Sequence, residues 1–301
     1  MNKTKSLIKQ TEDNFGINSD ENTTGDKNII TPVRFTVTDK HKSFRTKQYD
    51  DWNRRTHIDN EINHADGVII VSYFLPVILT KNSSGIWSAI WDKENLLTFQ
   101  LKPRTAWIGS VRYLNAPIPI EDEEAVATVL GNMNCYPVFI SQSQHFQFYD
   151  VFCKQQLWPI MHHIADVYGP LNLNEISAKS QQNLWFIYST VHKMFREKVL
   201  ELYQKNDLIW IHGFHLLLLP SFLRRRLPTS RIGYFFHTPF PSSEIWRTIS
   251  RREELLLGIL GADQIGFHLF EYARHFLSNC QRLIGCGFDS SNSGKMIINI
   301  D

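Results

Sequence analysis

The stretch from Asp207 to Cys286 constrains the fold of this chain more than any other. Three short apolar runs, at residues 208–211, 232–236 and 264–267, each precede a segment with helical periodicity. Apolar runs of this length between polar or Gly/Pro positions are typical of buried parallel strands, which need apolar side chains on both faces. Strands that alternate with helices form βαβ units. The sequence therefore predicts an α/β fold with a Rossmann-like, doubly wound and mainly parallel sheet.

The residues that follow the predicted strands indicate where a ligand would bind. GFH (residues 213–215) follows the first strand, and HTPFP (residues 237–241) follows the second. In doubly wound sheets, ligands bind outside the carboxyl ends of the strands. Polar rings and a stiff Pro-rich turn at these ends indicate a binding site more than a core.

The composition is that of a globular protein and excludes several classes of function. The chain has 301 residues, 43% hydrophobic and 13% aromatic, so one or two domains with a substantial core are expected. A net charge of +2 gives no argument for a nucleic-acid or membrane-surface partner. The first thirty residues contain no apolar signal segment, and no apolar run is long enough to span a membrane. Four cysteines without a CxxC pair indicate a reducing compartment, and we expect a cytoplasmic protein.

Two regions differ in their expected order. Residues 1–65 are rich in Asn, Asp, Lys and Thr, so they are predicted to form a disordered tail, either inert or carrying phosphorylation sites. Order is expected from residue 66 to residue 301. Within that domain, residues 87–91 and 96–101 are predicted to pair as a hairpin.

Three long motifs carry a resemblance to a known family: HGFHLLLLPSFLRRR (residues 212–226), GYFFHTPFPSSEIWRT (233–248) and IGFHLFEYARHFLS (265–278). They resemble the N-terminal half of trehalose-6-phosphate synthases, especially the plant-type synthase-like proteins, over about residues 66–290. The resemblance implies a GT-B glycosyltransferase of family 20, with two Rossmann-like domains and the site in the cleft between them. Such enzymes transfer glucose from UDP-glucose to glucose-6-phosphate with retention and need no further cofactor.

Some positions of this family are kept. Within QFYDVFCKQQLWPIMHH (residues 147–163), Tyr149 and Trp158 stand where the family lines its acceptor-sugar site. Both have an apolar body and one polar group, which suits a sugar but equally suits interior packing. His237 matches the histidine that faces the transferred glucose, so the resemblance implies a substrate-binding and catalytic role for it.

Other positions depart from the family pattern. The resemblance implies an arginine for the acceptor phosphate where this chain has Phe74, a tryptophan where it has Ser110, and a sugar-binding aspartate where it has Gly213. A guanidinium fork matches phosphate in a bidentate way, and a phenyl ring cannot replace it. The apolar rim around Phe74, Phe214 and residues 237–239 is expected to face solvent.

After Cys286 the family continues into a second domain that grips the donor, and this chain is expected to lack that domain. Three hypotheses follow: an active synthase, a degenerate binding or regulatory module, and a truncated fragment of a longer active synthase. The resemblance favours the degenerate module, with a sugar phosphate such as glucose-6-phosphate as ligand and a full-length synthase subunit or a second copy as partner. A zinc site of His212, His215 and His237 is also conceivable, but their spacing matches no metal motif, so no metal is predicted.

Overall fold

The computed structural model describes residues 33–39, 66–98, 104–114, 116–164, 178–290 and 296–300. The strands are β1 (Val33–Asp39), β2 (Gly67–Phe74), β3 (Val77–Lys81), β4 (Trp87–Trp91), β5 (Arg104–Ser110), β6 (Arg112–Tyr113), β7 (Ala116–Pro117), β8 (Cys135–Pro137), β9 (Leu208–His212), β10 (Arg231–Phe235), β11 (Gln264–Phe267), β12 (Gly287–Ser290) and β13 (Met296–Ile300). The helices are a 3₁₀ turn (Ile120–Asp122), α1 (Glu123–Gly131), α2 (Gln142–His145), a π-helix (Phe146–Leu157), α3 (Trp158–Met161), α4 (Ala178–Leu202), α5 (Leu219–Arg226), α6 (Ser243–Trp246), α7 (Arg252–Ile259) and α8 (Phe270–Ile284).

The main sheet has the strand order β12-β13-β1-β11-β10-β9-β2-β5-β8. Its six central strands, from β11 to β8, are all parallel. The chain enters at β2, moves outward through β5 and β8, and returns to β9 on the other side of β2. The strand order therefore reverses between β2 and β9, and a crevice at such a switch point is where doubly wound sheets bind ligands. The prediction of a doubly wound, mainly parallel sheet is confirmed.

The two faces of β2 belong to two different hydrophobic clusters. Ile69 and Val71 pack in the larger cluster, together with α4, α5 and α7. Val68 and Ile70 pack in the smaller one, against α1 and the β3–β4 hairpin. All four side chains are at most 1% exposed, as the two-sided burial of a central parallel strand requires. This position in the middle of the sheet fixes the end of β2, where the candidate site lies.

Two ion pairs connect the amino ends of the parallel strands. Arg104, the first residue of β5, lies 2.7 Å from the carboxylate of Asp207, which precedes β9. Arg224 at the end of α5 lies 2.6 Å from Asp263, which precedes β11. The same Asp263 oxygen accepts a 2.8 Å hydrogen bond from the Ile232 N–H of β10. These contacts join elements that are far apart in the sequence.

The strands predicted at residues 208–211, 232–236 and 264–267 appear as β9, β10 and β11 with bounds within one residue. The predicted hairpin differs from the observed one, because β4 pairs antiparallel with β3. Of its predicted partner, residues 96–98 form no strand and residues 99–101 lie outside the described residues. The turn between β3 and β4 depends on Asn82, whose side chain accepts the N–H groups of Ser84 and Ile86. An Asn that closes a turn in this way is a local sequence signal for a hairpin. The prediction relied instead on the alternating Trp residues.

One strand lies inside the segment predicted as a tail. β1 pairs antiparallel with β11 and parallel with β13. Its sequence, VRFTVTD, alternates β-branched and aromatic residues, which favours a strand even in a polar segment. The prediction of a tail without ordered elements is therefore corrected for residues 33–39. Residues 1–32 and 40–65 lie outside the described residues, and there the predicted disorder stays a prediction.

Candidate functional site

An extra residue in β2 positions the residues at its carboxyl end. The β2–β5 register runs from Val71 opposite Ile108 to Phe74 opposite Ser110, so β2 advances by three residues while β5 advances by two. Such a bulge re-aims the side chains that follow it. Ser110 is 3% exposed and its hydroxyl donates a 2.6 Å hydrogen bond to the Tyr73 carbonyl. Its side chain is thus used inside the sheet.

Gly109 of β5 permits the bulge. A Cβ atom at this position would lie 2.6 Å from the backbone nitrogen of Leu75. Cβ atoms do not approach other heavy atoms so closely, so only glycine fits here. The close approach lets the Leu75 N–H donate a 3.0 Å hydrogen bond to the Ser110 carbonyl. The end of β2 is consequently held against β5 on both sides of the bulge.

Five rings meet at the switch point, and we refer to Tyr73, Phe74, His145, Tyr149 and His215 as the aromatic cluster. Tyr149 lies nearly parallel to Tyr73 at a centroid distance of 5.2 Å and meets Phe74 edge-on at 5.0 Å. His215, which follows β9, stacks on Tyr73 at 5.3 Å. The Tyr73 hydroxyl lies 2.8 Å from Nδ1 of His145. The cluster therefore joins β2, the π-helix and the end of β9.

Burial keeps the ionisable rings of this cluster neutral. It raises the pKa of the Tyr73 and Tyr149 hydroxyls above their ordinary value. It lowers the pKa of His145, with Arg112 as the next cause, and it lowers the pKa of His215 to about 3. The fixed charge beside the cluster comes instead from two cations.

Those cations are Arg112 and Lys154. The guanidinium carbon of Arg112 lies 4.2 Å from the Phe74 ring centroid and 5.5 Å from that of Tyr149. The ammonium of Lys154 lies 4.6 Å from the Tyr149 centroid. Arg112 was not among the predicted site residues. Its position two residues after the last residue of a buried strand, at the carboxyl edge, was the available signal.

Trp158 begins α3, directly after the π-helix that carries Tyr149. Its indole stacks on His162 at 3.7 Å and lies 5.5 Å from the Phe214 ring. Trp158 is 42% exposed, while Phe214 is only 4% exposed. Of the two, Trp158 is therefore the one that offers ring surface to a ligand.

A histidine pair lies on the other side of β9. Nδ1 of His212 is 2.9 Å from Nε2 of His237, which follows β10. Burial lowers the pKa of His212 to about 3 and that of His237 to about 4, so both rings are neutral near pH 7. Within the described part of the chain, the remaining ring nitrogens and the Thr238 hydroxyl are buried without a hydrogen-bond partner. Each buried polar atom of this kind needs an explanation, and a ligand that supplies the missing partner is one.

The predicted site residues come from strand ends and from one helical stretch. Phe74 and Ser110 end β2 and β5, Gly213 and His237 follow β9 and β10, and Tyr149 and Trp158 lie on helical residues 142–161. Tyr149 and Phe74 touch directly, Trp158 covers Phe214, and His237 pairs with His212. Gly213 has a φ of 89°, a left-handed conformation that favours glycine, and its N–H donates a 2.9 Å hydrogen bond to the Phe235 carbonyl.

The prediction that the rim faces solvent is wrong for two of its members. Phe214 is 4% and Thr238 7% exposed, and the ring of Trp158 lies against Phe214. Among the described residues, no group of three or more His, Cys, Asp or Glu side chains has the arrangement of a metal site.

The strand order and the switch-point crevice define the class: a Rossmann-like domain that forms one half of a two-domain GT-B fold. The family model of glycosyltransferase family 20 matches residues 66–299, and the chain belongs to this family. It is 39% identical over 232 residues to UDP-forming alpha,alpha-trehalose-phosphate synthase 5 of Arabidopsis thaliana, which covers 75% of this chain. It is 36% identical over 232 residues to synthase A of Dictyostelium discoideum, which covers 76% of this chain. The resemblance seen in the motifs is confirmed.

Solved structures give the same fold. The N-terminal domain of Candida albicans trehalose-6-phosphate phosphatase is similar with a TM-score of 0.58 and 30% identity, over 78% of this chain and 47% of that one. A Burkholderia xenovorans trehalose-phosphate synthase in complex with glucose-6-phosphate has a TM-score of 0.55, over 77% of this chain and 48% of that one. At 20% identity the latter shows the fold alone. The chain spans only 26% and 30% of the Arabidopsis and Dictyostelium synthases.

Within the described residues, no helix is both long enough and apolar enough to cross a membrane.

Proposed function

We propose that this chain binds a sugar phosphate at the carboxyl edge of its sheet and does not complete glucosyl transfer alone. The observation that carries the proposal is that one continuous helical stretch, residues 142–161, carries both Tyr149 of the aromatic cluster and the 42% exposed indole of Trp158. Aromatic faces with one polar group suit the mixed surface of a sugar. The relatives are named as UDP-forming synthases, and one similar structure holds glucose-6-phosphate. UDP-glucose and glucose-6-phosphate are therefore the ligands to test first.

The absence of turnover is inferred from two departures from the family pattern. Phe74 supplies no charge where the resemblance implies an arginine, and Gly213 supplies no carboxylate where it implies an aspartate. Glucosyl transfer needs the acceptor phosphate and the sugar held in a fixed orientation at the reacting groups. Loss of one such fixed contact costs about 2–4 kcal/mol of transition-state stabilisation, so the missing carboxylate at Gly213 alone should slow transfer by about 30-fold to 1000-fold.

The direct test measures UDP release by the purified 301-residue chain with UDP-glucose and glucose-6-phosphate. We expect no turnover above a heat-killed sample. In parallel, calorimetry should detect glucose-6-phosphate binding at about millimolar affinity, since only a few contacts offset the cost of association. Trp158→Ala should weaken that binding, whereas Phe186→Ala, at an exposed ring on α4, should not. Turnover that His237→Ala abolishes would overturn the proposal.

A second candidate is that the chain is part of a longer active synthase. The coverage of 26% and 30% of the curated relatives favours it. Sequencing the transcript beyond the codon for Asp301, and assaying any longer product, separates the two candidates. A longer product that releases UDP would replace the proposal of a degenerate module.

A synthase subunit or a second copy of this chain is the proposed partner, and the proposed compartment is the cytoplasm. None of the four cysteines forms a disulfide, and all four are buried, which suits a reducing compartment. Co-purification with a full-length synthase, together with the mass of the purified chain in solution, tests the partner. A monomer that binds no synthase would contradict it.

A further inference from the structure

Arg112 occupies the place left by the missing arginine of the family pattern. The resemblance puts a phosphate-binding arginine at position 74, where this chain has a phenylalanine. The Arg112 guanidinium lies directly on that phenylalanine, 4.2 Å from its ring centroid. Arg112 lies in β6, which follows β5, whereas position 74 ends β2. A cation is thus present within a side chain's reach of the position from which the arginine is missing.

The hydrogen-bonding groups of this guanidinium are not used within the described part of the chain. Arg112 makes ring contacts with Phe74 and Tyr149 there, and no hydrogen bond or ion pair of its side chain occurs among the described residues. Arg104 and Arg224, by contrast, hold carboxylates at 2.7 and 2.6 Å. A guanidinium has five N–H donors in its plane and stacks through its face. The stacked rings therefore hold its orientation and leave the donors to another group.

The surrounding charges leave this cation uncompensated. Lys154 also lies over Tyr149, but it has a counterion, because Oδ1 of Asp150 is 3.7 Å from its ammonium. Oδ2 of Asp150 lies 4.0 Å from Nε2 of His145. Burial keeps His145 neutral, since it lowers the pKa of that ring. The two cations thus have one carboxylate between them, which leaves the site with a positive charge that favours an anion.

We propose that Arg112 is the phosphate-binding residue of this site and that Phe74 and Tyr149 hold its guanidinium in place. The ligand group is a phosphate monoester, since a guanidinium fork matches two phosphate oxygens at once. The inference rests on the proposed function for the sugar part of the ligand. Phosphate binding itself does not depend on the sugar. Arg112 then determines whether the site prefers a phosphorylated sugar over the free sugar.

The test titrates the full chain with inorganic phosphate, glucose-6-phosphate and glucose, with NMR chemical shifts as the readout. Arg112→Gln should weaken binding of phosphate and of glucose-6-phosphate at least about tenfold, as expected for loss of a charged hydrogen-bond partner. Glucose binding should stay unchanged. Arg112→Lys should retain part of the affinity, because a point charge remains without the fork.

The matched control is Arg225→Gln, which removes the same charge elsewhere. Arg225 is exposed in the last turn of α5, next to Arg224, which pairs at the amino end of the sheet. Its loss should leave all three titrations unchanged. Phe74→Leu keeps an apolar side chain but removes the ring, and it should weaken phosphate binding while Arg112 is intact. Circular dichroism of each variant verifies the fold.

The outcomes separate this inference from the proposed function. Glucose-6-phosphate binding that Arg112→Gln leaves intact would overturn the role of Arg112 and keep the sugar-phosphate module. Phosphate binding that depends on Arg112 and gains nothing from glucose would support Arg112 and overturn sugar recognition. A chain that binds neither phosphate nor glucose-6-phosphate would overturn both.

Discussion

At the amino edge of the parallel strands, Arg104 and Arg224 lie in ion pairs with carboxylates, although Oδ1 of Asp207 is buried there without a hydrogen-bond partner among the described residues. At the carboxyl edge, a guanidinium and several ring nitrogens lack such partners in the same part of the chain. Arg224 at the amino edge donates to the Asp263 carboxylate and to the carbonyls of Ser230 and Gly261. At the carboxyl edge, Arg112 contacts rings, and the outer ring nitrogens of the His212–His237 pair are buried without partners.

The difference separates two uses of polar residues in one sheet. A buried ion pair with its hydrogen bonds complete fixes the relative positions of strands, but removal of one partner is costly. Donors and acceptors left open have lost water without gaining a protein partner, which costs stability unless a ligand supplies one. The amino edge therefore serves the fold, and the open groups indicate that the carboxyl edge is built for binding.

Acidification should have the largest effect on stability. Burial lowers the pKa of His212 and of His192 in α4 to about 3, from an ordinary 6.5. Below about pH 6.5 the unfolded chain binds protons on these rings, while the folded chain does not. The contribution of the neutral rings to the free energy of unfolding is therefore complete above that pH and is lost as the pH falls toward 3. His215 and His237 at the carboxyl edge also have lowered pKa values and add to this loss. Each ring whose pKa falls to about 3 should remove about 2 kcal/mol between about pH 7 and about pH 5.

Urea unfolding at several pH values measures this loss. His192→Gln replaces a fully buried ring with a side chain that cannot titrate, so it should reduce the loss by about 2 kcal/mol. The pH-dependent loss of stability that remains in this variant is then assigned to the histidines at the carboxyl edge. An unchanged pH dependence in the variant would show that His192 is not protonated on unfolding in this range.

Removal of a carboxylate from the amino edge should have the next largest effect. Asp263→Ala leaves Arg224 without its carboxylate and Ile232 without its N–H acceptor. We expect the free energy of unfolding to fall by about 3 kcal/mol. Glu253→Ala, which removes an exposed carboxylate 3.6 Å from Arg252, should change it by less than about 0.5 kcal/mol. Equal effects of the two substitutions would remove the distinction drawn for the amino edge.

Substitution of Gly213 should have the smallest effect on the free energy of unfolding. A side chain here must adopt the left-handed backbone conformation, and its Cβ would lie 3.4 Å from Nδ1 of His215. Gly213→Asp and Gly213→Ala should each lower the free energy of unfolding by about 1 kcal/mol. The alanine variant carries the same strain, so any binding difference between the two reports on the carboxylate. Glucosyl transfer by the aspartate variant would mean that Gly213 alone had removed the activity.

The sequence predicts the parallel strands well because each is a short apolar run buried on both faces. Residues 264–267 form β11 as predicted, and the strand order places His237 at the same edge as Tyr149. The sequence does not predict that Arg112 meets Phe74. That contact depends on the bulge in β2 and on a close approach at Gly109, both of which are long-range features of backbone pairing.

β1 escapes prediction for a different reason. Its seven residues sit in a segment whose average composition is polar, and the average outweighs the local alternation of VRFTVTD. A strand that is completed by pairing with β11 and β13 derives its order from residues more than two hundred positions away. A composition average cannot detect such pairing.

Because β2 contains an extra residue, the side chains at its carboxyl end depend on the number of residues in the strand as well as on their types. Because side chains alternate between the two faces of a strand, a register change of one residue sends every later side chain to the opposite face. A relative with one residue fewer between Val71 and Phe74 would present a different residue to Arg112, whatever its amino-acid types. Gap placement in this short segment therefore determines which residue of a homologue corresponds to Phe74, and percentage identity along the rest of the chain carries no information about it.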